Sequence, residues 1–274
     1  GQPYVDGSGL PAYPGEGAPE PDGTWRPIRA GEFVLGFPNE AGHNPYPGAP
    51  FLHGSYLAYR KLEQRVLAFR ETTAALAGAA GIPCAHAAAR FMGRWQSGAP
   101  LDLAWEADDP ALAADRSRNN DFRYDDDPRG LKCPHGAHAR RNNPRADPTG
   151  PAVAEVNQHR VMRRSLPYGP WLPDGSTDDD GIPRGIHFAV VNADLETQFE
   201  YVQLNWINGT LSSAALSTEI DRDPIVGAND GRGKFVAPAN PLPSIGWDLP
   251  RFVEVRGGGY FFLPSLATLA VLAG

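Results

Sequence analysis

The sequence predicts an α+β fold, helices laid on one face of an antiparallel sheet, and two kinds of periodicity predict it. Alternating residues rich in β-branched and aromatic side chains mark strands at 55–62, 185–192, 252–256 and 260–263. Apolar residues at helical spacing mark amphipathic helices at 63–77, 84–95 and 195–207. A strand and a helix, followed much later by strand, helix and strand, is the order that a ferredoxin-like sandwich requires.

The elements fall into an ordered plan. Residues 1–50 are crowded with glycine and proline and read as a linker or extension, with too few periodic apolar residues in 1–27 to bury anything alone. Residues 51–274 then form the sandwich, interrupted from about 100 to 183 by a long insertion that carries the functional residues. The chain's 274 residues and 41% hydrophobic content give ample core for one large domain or two small ones. A net charge of -7 argues against a nucleic-acid surface, and no run approaches the roughly 20 apolar residues of a membrane span. Cys84 and Cys133 read as two reduced thiols.

Two segments carry the chemistry. CPHGAHARRNNPR, Cys133 to Arg145, sets His138 among arginines, and HRVMRRSLPYGP, His159 to Pro170, sets an arginine pair before a Pro-Tyr-Gly turn. They resemble the dye-decolourising peroxidase family, whose haem ligand and distal arginine lie in such segments. The resemblance continues through GEFVLGFPNE, HGSYLAYRKLEQ, MGRWQSGAPL, RGIHFAVVNADLETQFEYVQLNWIN, DPIVG and RGGGYFFLPS, in one order over nearly the whole chain. It implies half of a dimeric α+β barrel type peroxidase, with non-covalent haem b, since no CxxCH is present. It also implies oxidation of dyes, phenolics and similar reductants by hydrogen peroxide through a ferryl intermediate.

Residue roles follow from the same resemblance. His138 is the expected proximal ligand, with His135, His159 and the Cys133 thiolate as alternatives. A haem-ligating imidazole needs an acceptor on its other nitrogen; Asp223 of DPIVG takes that part, with Asp221 as the fallback. Haem propionates call for guanidinium, and of Arg140, Arg141 and Arg145 the expected partner is Arg145. Arg163, four residues before Pro167, is the expected distal cation. Adjacent side chains of an extended segment point oppositely, so Arg164 faces away while Ser165 shares the side of Arg163. Ile186 and Phe188 alternate on the strand expected to line the distal chamber. Trp206 is expected as a surface electron-transfer site for bulky substrates, and Tyr201, five residues earlier in an α-helix, falls nearly half a turn out of phase with it.

One family element is missing. The GxxDG aspartate normally precedes a GQP-like tripeptide, and here Gly1-Gln2-Pro3 is the start. The chain therefore looks like a C-terminal half whose distal acid comes from an N-terminal partner polypeptide; Asp6 in PYVDG is a poor substitute, with Pro3 where the first glycine belongs. Two other readings come from different classes. Cys84 with His86 and Cys133 with His135 form two CxH pairs of a conceivable zinc site, and haem binding or carriage without turnover needs the same ligand and pocket.

Overall fold

A computed structural model describes residues 21, 28–44, 48, 50–213, 218–220, 222–237 and 249–274, with the backbone alone for 211–213 and 218–220. Asp6 and Asp221 lie outside the described residues. The elements are β1 (Ser55–Gln64), α1 (Val66–Ala80), α2 (Cys84–Met92), α3 (Pro110–Ala114), α4 (His138–Asn142), α5 (Val153–Gln158), β2 (Met162–Arg163), β3 (Leu166–Tyr168) and β4 (Gly185–Asn192). Two π-helical stretches, Leu195–Glu200 and Val202–Ile207, follow. A short hairpin, β5 (Leu211–Ser213) and β6 (Thr218–Ile220), then precedes β7 (Val253–Leu263) and α6 (Leu266–Leu272).

The main sheet runs β2-β4-β1-β7, with β3 also paired to β4, and every pairing is antiparallel. Met162 pairs with Val191 and Leu166 with His187, so β2 and β3 keep one register and act as a single interrupted edge strand. The result is a four-position antiparallel sheet interleaved with helices, the expected α+β class. Of the stretch read as an insertion, residues 162–168 therefore complete the sheet.

Element boundaries shift for identifiable reasons. β1 continues through Gln64 because Glu63 and Gln64 still pair with Glu254 and Val253, which delays the helix expected from 63. α1 and α2 end at Gly81 and Gly93, both in the left-handed conformation that glycine adopts without strain. A Cβ at Gly93 would lie 2.9 Å from the Ala139 Cβ, so this stop also lets α4 approach closely. The strands expected at 252–256 and 260–263 are one strand, because Gly257–Gly259 continue the ladder opposite Tyr59 to Lys61. A Cβ on Gly258 would come within 2.3 Å of the Tyr59 carbonyl oxygen, a contact that only glycine avoids.

Two cores flank the segment that carries His138. Phe91 stacks on Phe235 at 4.4 Å within a cluster that includes Leu76, Leu249 and Phe252. A second cluster, with Trp95, Leu101, Phe122, Tyr124, Cys133 and Ala137, gives the inserted region its own interior. Truncating a buried aromatic of this kind to alanine costs about 3–5 kcal/mol. Among the described residues no helix is long and apolar enough to cross a membrane.

Candidate functional site

The segment leading to His138 is held from beneath by one buried cation. Arg140, 1% exposed, donates from Nε to Asp147 Oδ2 at 2.7 Å and from Nη1 to Asp127 Oδ2 at 2.8 Å and the Cys133 carbonyl at 2.7 Å. Its Nη2 donates to the Asp127 carbonyl, and its guanidinium lies over the Tyr124 ring. Asp127 also accepts from the backbone N–H of Leu131 and of Cys133. Two carboxylates and two carbonyls thus surround one guanidinium, the condition under which a buried charge is tolerated.

Above this staple, His138 opens α4, and its Nδ1 lies 2.8 Å from Asp223 Oδ2. The Asp223 side chain is fully buried while that of His138 is 28% exposed. Burial alone would push the Asp223 carboxyl up, but the His138 ring and the N–H groups of Val226 and Ile225 outweigh it and hold it below the usual carboxylate range. Ionised, Asp223 is acceptor only, so the Nδ1 proton of His138 points at it and Nε2 is the ring nitrogen left open. Asn142 bridges the pair, donating to Asp223 Oδ2 and to the His138 carbonyl, both at 2.8 Å.

The three alternative ligands occupy other environments. Cys133 is fully buried, and burial pushes its thiol up to about 12, which keeps it protonated. His135 is buried against the Arg140 staple, 3.9 Å from Asp147, with its pKa lowered by burial and by Arg140. His159 is buried between aromatic rings, its Nδ1 on the Thr197 carbonyl. No group of three or more His, Cys, Asp or Glu side chains among the described residues is placed to hold a metal ion, so the two CxH pairs do not assemble into one site.

On the sheet, Arg163 pairs with Val190 and so shares a face with Ile186 and Phe188. That face is the one covered by the π-helical segment, since Phe199 packs with Val190 and Ala58 and against Phe188. Arg141 donates to the carbonyls of Trp206 and Gly209, and Asp223 N–H donates to the Ile207 carbonyl. α4, the Asp223 turn and the end of the π-helical segment are therefore one unit, layered on the face that carries Arg163. Arg164 donates its N–H to the Ala189 carbonyl, and its register puts its side chain on the opposite face. Ser165 shares the Arg163 face, and its Oγ accepts the Ala189 N–H at 3.2 Å, closing the gap between β2 and β3.

Arg145 donates to the Asn120 and Phe122 carbonyls and to Asn120 Oδ1, and lies 3.8 Å over the Phe122 ring, which ties it to the 120–122 loop. Two expectations need correction. Trp206 is not a surface residue, being 6% exposed. The phase argument against Tyr201 also fails, because the stretches Leu195–Glu200 and Val202–Ile207 on either side of it are π-helical. In such a helix hydrogen bonds join residues five apart, as between Asn208 N–H and the Gln203 carbonyl, so positions 201 and 206 stack.

Asn142, Asp127 and Asp147 were missed in the sequence. Asn142 had a signal, standing one helical turn after His138; the two aspartates had none, lying among many acidic residues of a loop-rich stretch.

A part-exposed imidazole whose Nδ1 is engaged by a buried carboxylate is a group able to ligate a metal through its other nitrogen. The chain belongs to the dye-decolourising peroxidase family. It is 33% identical to a dye-decolorizing peroxidase of Auricularia auricula-judae over 97% of its own length and 54% of that protein's. To the multifunctional dye peroxidase of Amycolatopsis it is 34% identical, over 98% and 60%. It matches the crystal structure of the Auricularia enzyme complexed with imidazole at a TM-score of 0.78 and 30% identity, covering 99% of this chain and 64% of that one. A dye-decolorizing peroxidase in complex with 2,6-dimethoxyphenol matches at 0.77 and 32%. No protein-family model matches the chain. The chain spans a little over half the length of these curated relatives.

Proposed function

We propose that this chain holds haem b through His138 and belongs to a peroxidase that uses hydrogen peroxide to oxidise dyes, phenolics and similar reductants. The observation that carries this reading is the His138–Asp223 pair, found in a chain homologous along its length to dye-decolourising peroxidases. The residues fit the group: a part-exposed imidazole whose Nδ1 proton is already committed offers only Nε2 to a metal.

When bound, the haem supplies the iron at which peroxide is reduced. Asp223 fixes the tautomer and ring plane of His138 and raises its basicity, while Asn142 keeps both partners in place. Arg163 supplies a positive charge where negative charge develops on the peroxide oxygen, an effect on the order of 100-fold or more in rate. Ile186 and Phe188, half-buried on the same face, exclude water from that side. Ser165 positions this edge by holding Ala189. Trp206, anchored through its carbonyl by Arg141, is the proposed electron-transfer residue for substrates too large for the pocket.

The acid that moves the peroxide proton is assigned to a GxxDG aspartate of an N-terminal segment or partner polypeptide. What supports such a partner is the apolar surface on β7 and α6, where Val255, Tyr260, Phe261, Leu266, Val271 and Leu272 are exposed. Peroxide-dependent oxidation of a phenol and of a dye at acidic pH, by the haem-loaded chain with and without that segment, tests the proposal. Turnover that requires the segment is expected; haem binding with no turnover in either case would leave a carrier.

A further inference from the structure

The buried Trp206 does not stand alone. The π-helical backbone brings Tyr201 into phase with it, and the two rings meet edge to face at 5.8 Å. His159 completes the cluster, stacked on Tyr201 at 3.5 Å and 4° and edge-on to Trp206 at 5.2 Å. Its Nδ1 is bonded to the Thr197 carbonyl at 2.5 Å and burial lowers its pKa, so the ring is neutral and fixed. Tyr201 is half-buried, and its hydroxyl donates to Glu155 Oε1 at 3.2 Å, a carboxylate exposed on α5. The cluster thus runs from a tryptophan shielded from bulky external reductants to a phenol with a proton acceptor at the surface.

We propose that Tyr201 is a redox-active residue that connects Trp206 to external reductants, with Glu155 as its proton acceptor. The step conserves electrons and protons. Oxidised Trp206 takes one electron from Tyr201, whose phenolic proton moves to the Glu155 carboxylate and leaves a neutral tyrosyl radical. An external phenol then returns one electron to the Tyr201 oxygen, Glu155 returns the proton, and the phenol releases its own proton to water. The oxidant for Trp206 is the haem after its reaction with peroxide, so the inference rests on the proposed function for its physiological oxidant.

The geometry requires this division of labour. A phenol loses its electron readily only if its proton leaves at the same time, which needs an acceptor in hydrogen-bond reach, and Glu155 is that acceptor. Trp206 has no route of its own to a bulky donor at 6% exposure. A π-helical insertion is frequent at functional sites, and here its consequence is specific: in an α-helix, residues five apart would not meet.

Pulse radiolysis of the purified 274-residue chain with azide radical tests the coupling without calling on peroxide. Azide radical oxidises indole side chains, and transfer onward appears as loss of the tryptophanyl and rise of the tyrosyl absorption. A fast, concentration-independent phase is expected. Tyr201→Phe, which keeps the ring stack and removes only the hydroxyl, should abolish it; Trp206→Phe should do the same; Glu155→Gln should slow it; Tyr56→Phe, on β1, should leave it unchanged. A fast phase that survives Tyr201→Phe, or that Tyr56→Phe removes instead, overturns the proposal. Electron paramagnetic resonance after peroxide, on haem-loaded protein with ring-deuterated tyrosine, then reports the physiological oxidant. A radiolysis phase with no reaction of peroxide would sink the peroxidase reading while upholding the Tyr201–Trp206 pair.

Discussion

The carboxylate of Asp223 accepts the Nδ1 proton of His138 at 2.8 Å, although 85 residues separate the two in the chain. Asp223 Oδ1 is meanwhile held by the N–H groups of Ile225 and Val226, so the acceptor is fixed before any ligand arrives. Asp223→Asn keeps the size and loses the charge. Haem affinity should fall about 10–100-fold, and the reduction potential of the bound iron should rise because the imidazole becomes a weaker donor. Haem titration and spectroelectrochemistry check both.

The Arg140 staple sets the foundation of the site. Arg140→Met strands Asp127 and Asp147 in the interior, and an uncompensated buried charge costs about 3–5 kcal/mol. Urea unfolding should show a loss of that order, with the His138 segment loosened in hydrogen exchange. A change under about 0.5 kcal/mol, as at an ordinary surface position, would refute the foundation role.

Asp102 predicts an opposite, pH-dependent effect. It is buried with no partner on Oδ1, and burial, then the charge of Asp126, raises its carboxyl from 3.8 to about 6. The folded state binds this proton more tightly than the unfolded one, so the contribution is fully present below pH about 4 and is lost as pH rises through about 6. Asp102→Asn should therefore match the parent near pH 4 and exceed it at pH 7 by on the order of 1–3 kcal/mol. Thermal unfolding at the two values measures the difference.

Arg163 and Arg164 are adjacent in sequence but oppositely directed by the β2–β4 register. Arg163→Leu should slow reaction with peroxide by about 100-fold or more while haem stays bound. Arg164→Leu should change it little. Stopped-flow mixing of each variant with peroxide decides between them, and an equal loss in both would contradict the face assignment.

The His138 segment, the Asp223 turn and most of the sheet were legible because each leaves a local mark: a dense motif, a turn, an alternation. The edge strand at 162–168 was absorbed into the insertion because it is short and interrupted. Gly257–Gly259 masked the continuity of β7, since glycine in a strand ordinarily signals a break. The π-helical winding of 195–207 has no periodic signature distinct from an α-helix over so few turns, and so the meeting of Tyr201 and Trp206 was hidden. The engagement of Arg145 by the 120–122 loop depends on tertiary folding alone.

The central claim is that the Nε2 of His138 is the metal-binding atom, and His138→Gly with added imidazole tests it most directly. The purified chain loaded with haem should give the absorption spectrum of an imidazole-ligated ferric haem. His138→Gly should lose it, and free imidazole entering the space left by the side chain should restore it. An unchanged spectrum in His138→Gly without imidazole would contradict the account and move the ligand to another residue.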